Sequence, residues 1–230
     1  MVERGEAMPA VGFTWSYSKL KNFETCPKRH LHYDVLRDVK EPETREQGAG
    51  HELHKAFELR VRDGKPLPLG MMQHEPILAR IIAAPGETYA EQKLALNANF
   101  KPVGYFAKTV WFRTVIDLCK VNNGVATVLD YKTGKPTTDM TQSQLLAATV
   151  FHYLHEVKRV KTGLLFVNHD HVEKAEFVRG DLTEIWNEIL PRVKAVEKAQ
   201  ATEEFPPKPS GLCVRYCAVV SCPYHGRGTR

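Results

Sequence analysis

The chain has 230 residues, 43% hydrophobic and 26% charged. It can therefore bury a substantial core, and it is neither disordered nor membrane-spanning, because no apolar run approaches the ~18 residues a span needs. A net charge of +5 fits a polyanionic partner without requiring one. The five cysteines are an odd number, and the N-terminus lacks the apolar stretch of a secretory signal, so a cytoplasmic chain without a disulfide framework is expected.

In chain order, residues 1–15 read as a flexible tail. Ser16 caps a helix carrying Leu20 and Phe23. Pro27 breaks or restarts it, and Leu31 and Tyr33 continue its apolar face. Residues 41–50 are polar and read as a loop. Leu53, Phe57 and Val61 then recur at helical spacing until Gly64, and a shorter helix spans about 77–83. Strands are expected over 88–98, 110–121 and 125–132. The last two are joined by Asn122-Asn123-Gly124, where Asn-Gly tolerates the positive φ angles of a type I′ turn. A helix follows over 138–156, then strands at 160–168 and 172–178, and a helix from Asp181 to about Gln200. Phe205-Pro206-Pro207 opens an extended segment leading into a cysteine-rich tail. This order predicts an α/β domain with a mixed sheet.

The Asn-Gly hairpin carries a chemical consequence. If Asn123 and Gly124 form the turn, Asn122 pairs with Val125 and Asp117 faces Asp130, with Lys132 on the same side. Two carboxylates that close repel unless a proton or cation lies between them, and a hard divalent ion such as Mg²⁺ fits. A metal with an adjacent ammonium can hydrolyse a phosphodiester: the metal polarises the phosphoryl group and activates water, and the lysine orients or stabilises. Both aspartates sit in apolar strand sequence, Val115-Ile116-Asp117-Leu118 and Val128-Leu129-Asp130, which argues against idle surface charge.

Asp130-Tyr131-Lys132-Thr133-Gly134-Lys135, preceded by Ile116-Asp117, resembles the PD-(D/E)XK nuclease superfamily. The similarity is to its RecB, AddB and Cas4 type branch, phage-encoded exonucleases included. Ser16-Tyr17-Ser18-Lys19-Leu20 with Cys26-Pro27 is similar to that branch's N-terminal helix and cysteine, Gly50 with His54 and Glu58 to its histidine helix, and Gln144-Leu145-Leu146 to its glutamine helix. The resemblance implies a restriction-endonuclease-like αβββαβ core over 16–204, with N-terminal helices and a cysteine-rich segment, 205–230, packing with the Cys26 region. It implies Mg²⁺ or Mn²⁺ held by His54, Asp117, Asp130 and the Tyr131 carbonyl, with Glu91 accessory, Lys132 serving the attacking water and the phosphate, and Gln144 contacting DNA. His51 competes with His54. The tyrosine usual four residues after the glutamine is replaced by Ala148, and Tyr153, one to two turns later, does not match that position.

Cys213-x3-Cys217-x4-Cys222 with Cys26 supplies four thiolates, enough for a [4Fe–4S] cluster. Zn²⁺ on Cys213, Cys217, Cys222 and His225 is an alternative, as are metal-free thiols. The resemblance favours the iron–sulfur cluster as a staple between the chain ends. Cys119 reads as a packed strand residue.

The implied substrate is DNA, single-stranded or with free ends, bound without sequence preference, with recombination or single-strand-binding proteins as partners and no membrane. Phosphate contacts are available from Lys28, Arg29, Lys135, Arg227 and Arg230, and stacking from Tyr17, Phe106 and Trp111. The function expected is a metal-dependent DNA exonuclease in recombination, repair or phage DNA processing, in the cytoplasm (the host's if phage-encoded). The alternatives are a structure-specific or restriction endonuclease and a non-catalytic DNA-binding subunit; an iron–sulfur electron carrier is more distant.

Overall fold

A computed structural model describes residues 12–40 and 45–227. The described chain divides into two compact units. The first lies within Thr44–Trp186, and the second joins the described parts of Gly5–Glu43 and Asn187–Arg230.

The first unit is built on a six-stranded sheet in the order β2-β1-β3-β4-β5-β6. Its strands are β1 (Glu87–Leu96), β2 (Pro102–Val103), β3 (Phe112–Asn122), β4 (Val125–Lys132), β5 (Arg159–Phe166) and β6 (His171–Val178). Neighbours are antiparallel except β4 and β5, which run parallel. A parallel pair needs a crossover, and a helix over Thr141–Tyr153 supplies it. The mixed α/β sheet expected from the element order is present; the two-residue edge strand β2 was not expected, being too short for any alternation.

The β3–β4 turn follows from its sequence. Asn123 and Gly124 have φ of 49° and 75°, as a type I′ turn requires. The pairs run from Asn122↔Val125 to Leu118↔Leu129, the predicted register.

Among the described residues the α-helices include α1 (Tyr17–Thr25), α2 (Pro27–His30), α3 (Arg45–Asp63), α4 (Glu75–Ala83), α5 (Thr141–Tyr153) and α6 (Leu182–Thr202). A short α7 covers Leu212–Arg215. α3 starts earlier than the Gly50 boundary expected: its described start is Arg45, so the polar run to Gly50 is largely helical, and 41–44 lie outside the described residues.

α5 is buried nearly all round, through Leu145, Leu146, Ala147, Ala148, Val150 and Phe151. Leu146, Val150 and Phe151 join Ile116, Cys119, Ala126 and Val128 in one core. Leu53 and Phe57 of α3 and Leu78 of α4 join Leu118, Tyr131 and Leu165 in another. Each such side chain withdrawn from water contributes roughly 1.5–3 kcal/mol before entropy is counted.

In the second unit Ser16 caps α1 by accepting the Lys19 N–H. Phe13 and Trp15 are buried, so packing starts before the residue 16 expected as the limit of the tail. Arg192 of α6 grips Glu24 of α1 with two hydrogen bonds of 2.7 and 3.0 Å, a bidentate pairing. The tail is tied in by Lys208, whose Nζ donates to the Glu24 carbonyl, and by Ala218, whose N–H donates to the Tyr33 hydroxyl.

Candidate active site

The site originates in an irregularity of β3. Residues two apart on a regular strand face the same side. Ile116 packs in the core with α5, while Leu118 packs in the core with α3. The strand therefore turns over by one residue at Asp117. On the neighbouring strand Glu91 has a φ of 50°, and the β1–β3 pairing passes from Ala90↔Leu118 to Gln92↔Ile116 without bridging Glu91 and Asp117. Left-handed backbone at a non-glycine residue costs on the order of 1–3 kcal/mol and concentrates at functional sites.

The β3–β4 ladder also stops at Leu118↔Leu129, one pair short of Asp117 and Asp130. The two aspartates are not the regular cross-strand pair that the register alone predicts. Asp117 instead accepts the Tyr131 N–H on its Oδ2 at 2.7 Å.

His54 reaches this point from α3. Gly50, one turn earlier, makes the approach possible: a Cβ there would lie 3.0 Å from the Thr133 hydroxyl at the end of β4. His54 Nδ1 stands 3.2 Å from Asp117 Oδ1. The ligand atoms of His54, Glu91 and Asp117 all lie within 4.8 Å of one another. Burial disfavours the charged imidazole, but the Asp117 carboxylate, the Asp130 charge and a hydrogen bond to the Tyr131 backbone outweigh it and raise the His54 pKa. Burial, then the Asp117 and Glu58 carboxylates, raises that of Glu91. Acids that resist ionisation beside an imidazole that holds its proton mark a place where positive charge is favoured.

Asp130 is buried, with 5% of its surface exposed. Burial raises its pKa, the Lys132 ammonium opposes this, and Asp117 adds to it. Lys132 Nζ forms an ion pair at 2.6 Å with Asp130 Oδ2. The other carboxylate oxygen accepts from Gln142 Nε2 at 2.8 Å. Asp117, Tyr131 and Lys132 open with His54, Glu91 and Val115 into a cleft of about 670 Å³, with room for a nucleotide.

The structure thus gathers His54, Glu91, Asp117, Tyr131 and Lys132 at one cleft, with Asp130 behind Lys132. His51, the rival histidine, lines the same cleft, but the histidine of the acidic group is His54. α5 extends Gln142 to Asp130; sequence reasoning missed this contact because both glutamines fall on one turn and only Gln144 matched a motif. Tyr153 does not substitute for a DNA-facing tyrosine. Its hydroxyl takes the Ala95 N–H and bonds the Ala95 carbonyl, tying α5 to β1. Trp111 is 2% exposed and belongs to the core, whereas Phe106 is 81% exposed. Lys135 and Arg227 are exposed, and Tyr17 is half-buried. Arg230 lies outside the described residues.

Within the second unit, Cys26, Cys213, Cys217 and Cys222 line one pocket, with Lys28, Arg29 and His225. The Lys208 N–H donates to Cys26 Sγ and the Ser210 N–H to Cys213 Sγ. Sulfurs around one tetrahedral zinc ion stand about 3.8 Å apart, given Zn–S bonds of about 2.3 Å. Among the described residues, the group of three or more His, Cys, Asp or Glu ligand atoms within 4.8 Å of one another is the His54 set, and no three of these sulfurs meet that spacing. Cys119 is buried in β3 of the first unit, and desolvation pushes its thiol up to about 12.

The family model of the PD-(D/E)XK nuclease superfamily matches residues 14–223. A search of curated proteins finds no significant match. A crystal structure from Eubacterium rectale, of a protein whose exonuclease name is itself provisional, aligns with a TM-score of 0.52 and 14% identity over 94% of this chain and 89% of its own. The protein SSO0001 aligns with a TM-score of 0.41 and 12% identity over 95% of this chain and 89% of its own. At such identities the likeness concerns the fold, and the second alignment carries no argument.

Proposed function

Because the chain belongs to the PD-(D/E)XK nuclease superfamily, a family of metal-dependent nucleases, we propose that it is an exonuclease hydrolysing DNA from free ends without sequence preference. The metal is Mg²⁺ or Mn²⁺, and the setting is recombination, repair or phage DNA processing. The observation that carries this reading is the meeting of His54, Glu91 and Asp117 at the cleft that Lys132 also lines.

The residues fit a divalent ion. Oxygen donors from Glu91 and Asp117, with the imidazole of His54, form a mixed hard set around a point where positive charge is favoured. Asp130 and the Tyr131 carbonyl complete the proposed ligands. When bound, the ion polarises the phosphoryl oxygen and lowers the pKa of water.

The chain's own groups do the positioning. The Tyr131 N–H fixes the Asp117 carboxylate, and Gln142 fixes that of Asp130. Lys132, partly exposed in the cleft, is placed to hold a water or a phosphate oxygen through its ammonium.

For the cysteines we propose a [4Fe–4S] cluster. Its four thiolates stand farther apart than those around one zinc ion, and N–H groups aimed at Cys26 and Cys213 suit anionic sulfur. It would pin the chain ends within the second unit and play no part in hydrolysis.

The decisive experiment incubates end-labelled linear single- and double-stranded DNA and a covalently closed circle with Mg²⁺, Mn²⁺ or EDTA. Metal-dependent shortening of linear DNA with an intact circle is expected. Nicking of the circle replaces the exonuclease with an endonuclease, and no cleavage under any condition leaves a DNA-binding subunit.

A further inference from the structure

We propose that Tyr105, Phe106 and Arg113 form a stacking platform that holds an unpaired base of single-stranded DNA upstream or downstream of the cleft; this rests on the nuclease reading above. Phe106, between β2 and β3, is 81% exposed. Its ring stands edge-on to Tyr105, with centroids 5.1 Å apart at 85°. The Arg113 guanidinium lies 5.3 Å from the Tyr105 centroid and 6.0 Å from that of Phe106. Among the described residues Arg113 makes no ion pair, and its buried Nε has no hydrogen-bond partner. Two rings and no carboxylate hold this cation, so its charge is available to a phosphate.

The platform shares a track with the metal-binding acids. Arg113 and Val115, two apart on β3, share one face, and Val115 lines the cleft together with Asp117. Four residues of strand set Arg113 about 13 Å from Asp117. That distance corresponds to on the order of two to four nucleotides, depending on how far the strand is stretched. Lys93 of β1 is paired with Val115 and exposed, so a positive charge sits midway on the same face.

Acids, then a lysine, then an arginine capped by an exposed ring follow the repeat of a polynucleotide better than the surface of a folded protein. A base within a duplex already has both faces stacked, so the platform selects an unpaired one.

The test measures the anisotropy of labelled oligothymidylates of increasing length with the full chain, in EDTA so that no cleavage occurs. Affinity is expected to rise once the oligomer can reach the platform. Phe106→Ala removes that increment, weakening long oligomers by about fivefold to a hundredfold, while Phe106→Trp retains it. Leu69→Ala, at a side chain 94% exposed elsewhere, is the control and binds like the unmodified chain.

Equal binding of long oligomers by Phe106→Ala and the unmodified chain overturns the platform, as does equal weakening of fully paired duplex. Separately assayed cleavage by the unmodified chain keeps the two readings apart. Weakened binding without any cleavage leaves the platform standing and removes the nuclease; cleavage with unaltered binding does the reverse.

Discussion

Asp117 of β3 accepts the backbone N–H of Tyr131 in β4 through its side chain, at 2.7 Å, where a regular ladder would offer a carbonyl. The carboxylate thereby takes over a bond that the sheet gives up. A ladder running one pair further would place Asp117 as predicted from the hairpin register. The turn-over at Asp117, opposite the left-handed Glu91, instead directs the carboxylate to His54. One side chain thus closes the sheet and anchors the proposed metal site.

These two tasks separate by mutation. Asp117→Asn keeps an oxygen acceptor for the Tyr131 N–H and removes the charge, so the fold persists and cleavage is lost. Asp117→Ala also strands a buried N–H, at a cost of about 1–3 kcal/mol relative to Asn. Urea unfolding of the two variants checks the difference. Equal stabilities would show that the bond contributes nothing.

Asp130 bears the opposite sign of stability. A carboxyl whose folded pKa is raised binds its proton more tightly in the native state, so its contribution is present at low pH and lost as pH rises above its unfolded value. Asp130→Asn removes that loss. Metal-free Asp130→Asn is expected to melt on the order of a few degrees above the unmodified chain at pH 7, with the gap closing below about pH 4. Mg²⁺ or Mn²⁺ stabilises the unmodified chain and not the variant. Differential scanning fluorimetry across pH, with and without metal, measures both effects.

The parts of the molecule dictated by local chemistry were legible in the sequence. Asn123-Gly124 can hardly serve except as a two-residue turn, and its register follows for five pairs. The capping of α1 by Ser16 is of the same kind. What was hidden depends on distant neighbours. Nothing near Glu91 signals a positive φ, because the conformation is held by the pairing of Ala90 and Gln92 with β3. Trp111 and Phe106 look equally apolar in a sequence, yet one fills the core and the other stands in solvent. The gathering of Cys26 with three cysteines far along the chain came from resemblance, since spacing cannot show it.

The raised His54 pKa sets a pH dependence. Burial lowers it, and the Asp117 and Asp130 carboxylates with the Tyr131 backbone more than compensate. In the metal-free chain this proton stabilises the fold below the ordinary imidazole pKa of about 6.5, and the gain is lost as pH rises through the raised value. Metal binding requires the neutral ring. Mn²⁺ affinity should therefore climb through the raised pKa and level off above it, with a proton released per ion in the acid limb. Titration calorimetry in buffers of differing ionisation enthalpy reads this directly, and His54→Gln should flatten the profile.

The cysteine set predicts a chromophore. Protein purified without oxygen should contain iron and sulfide and absorb visible light, and reduction should partly bleach it. Cys213→Ala and Cys26→Ala should each lose the iron and sensitise the second unit to proteolysis, because all four cysteines line the pocket where the cluster is proposed. Stoichiometric zinc in place of iron would refute the assignment.

Gln142 and Gln144 sit two residues apart on α5, so their side chains leave the helix about 200° apart and cannot serve one point. Gln142 donates to Asp130. It holds the Asp130 carboxylate and does not line the cleft, so it acts by positioning that proposed ligand. Gln142→Ala frees one Asp130 oxygen to rotate and leaves it without a donor in a buried site. The expected result is a rise in the metal concentration needed for half-maximal cleavage, with the maximum rate at saturating metal reduced much less. Gln142→Glu sets a second carboxylate against a buried one and should be worse than Ala at pH 7, improving as pH falls and the pair takes up a proton. Gln144→Ala should leave the metal dependence unaltered. The opposite ranking of the two alanine variants would transfer the role to Gln144 and mean that the Gln142 contact is incidental.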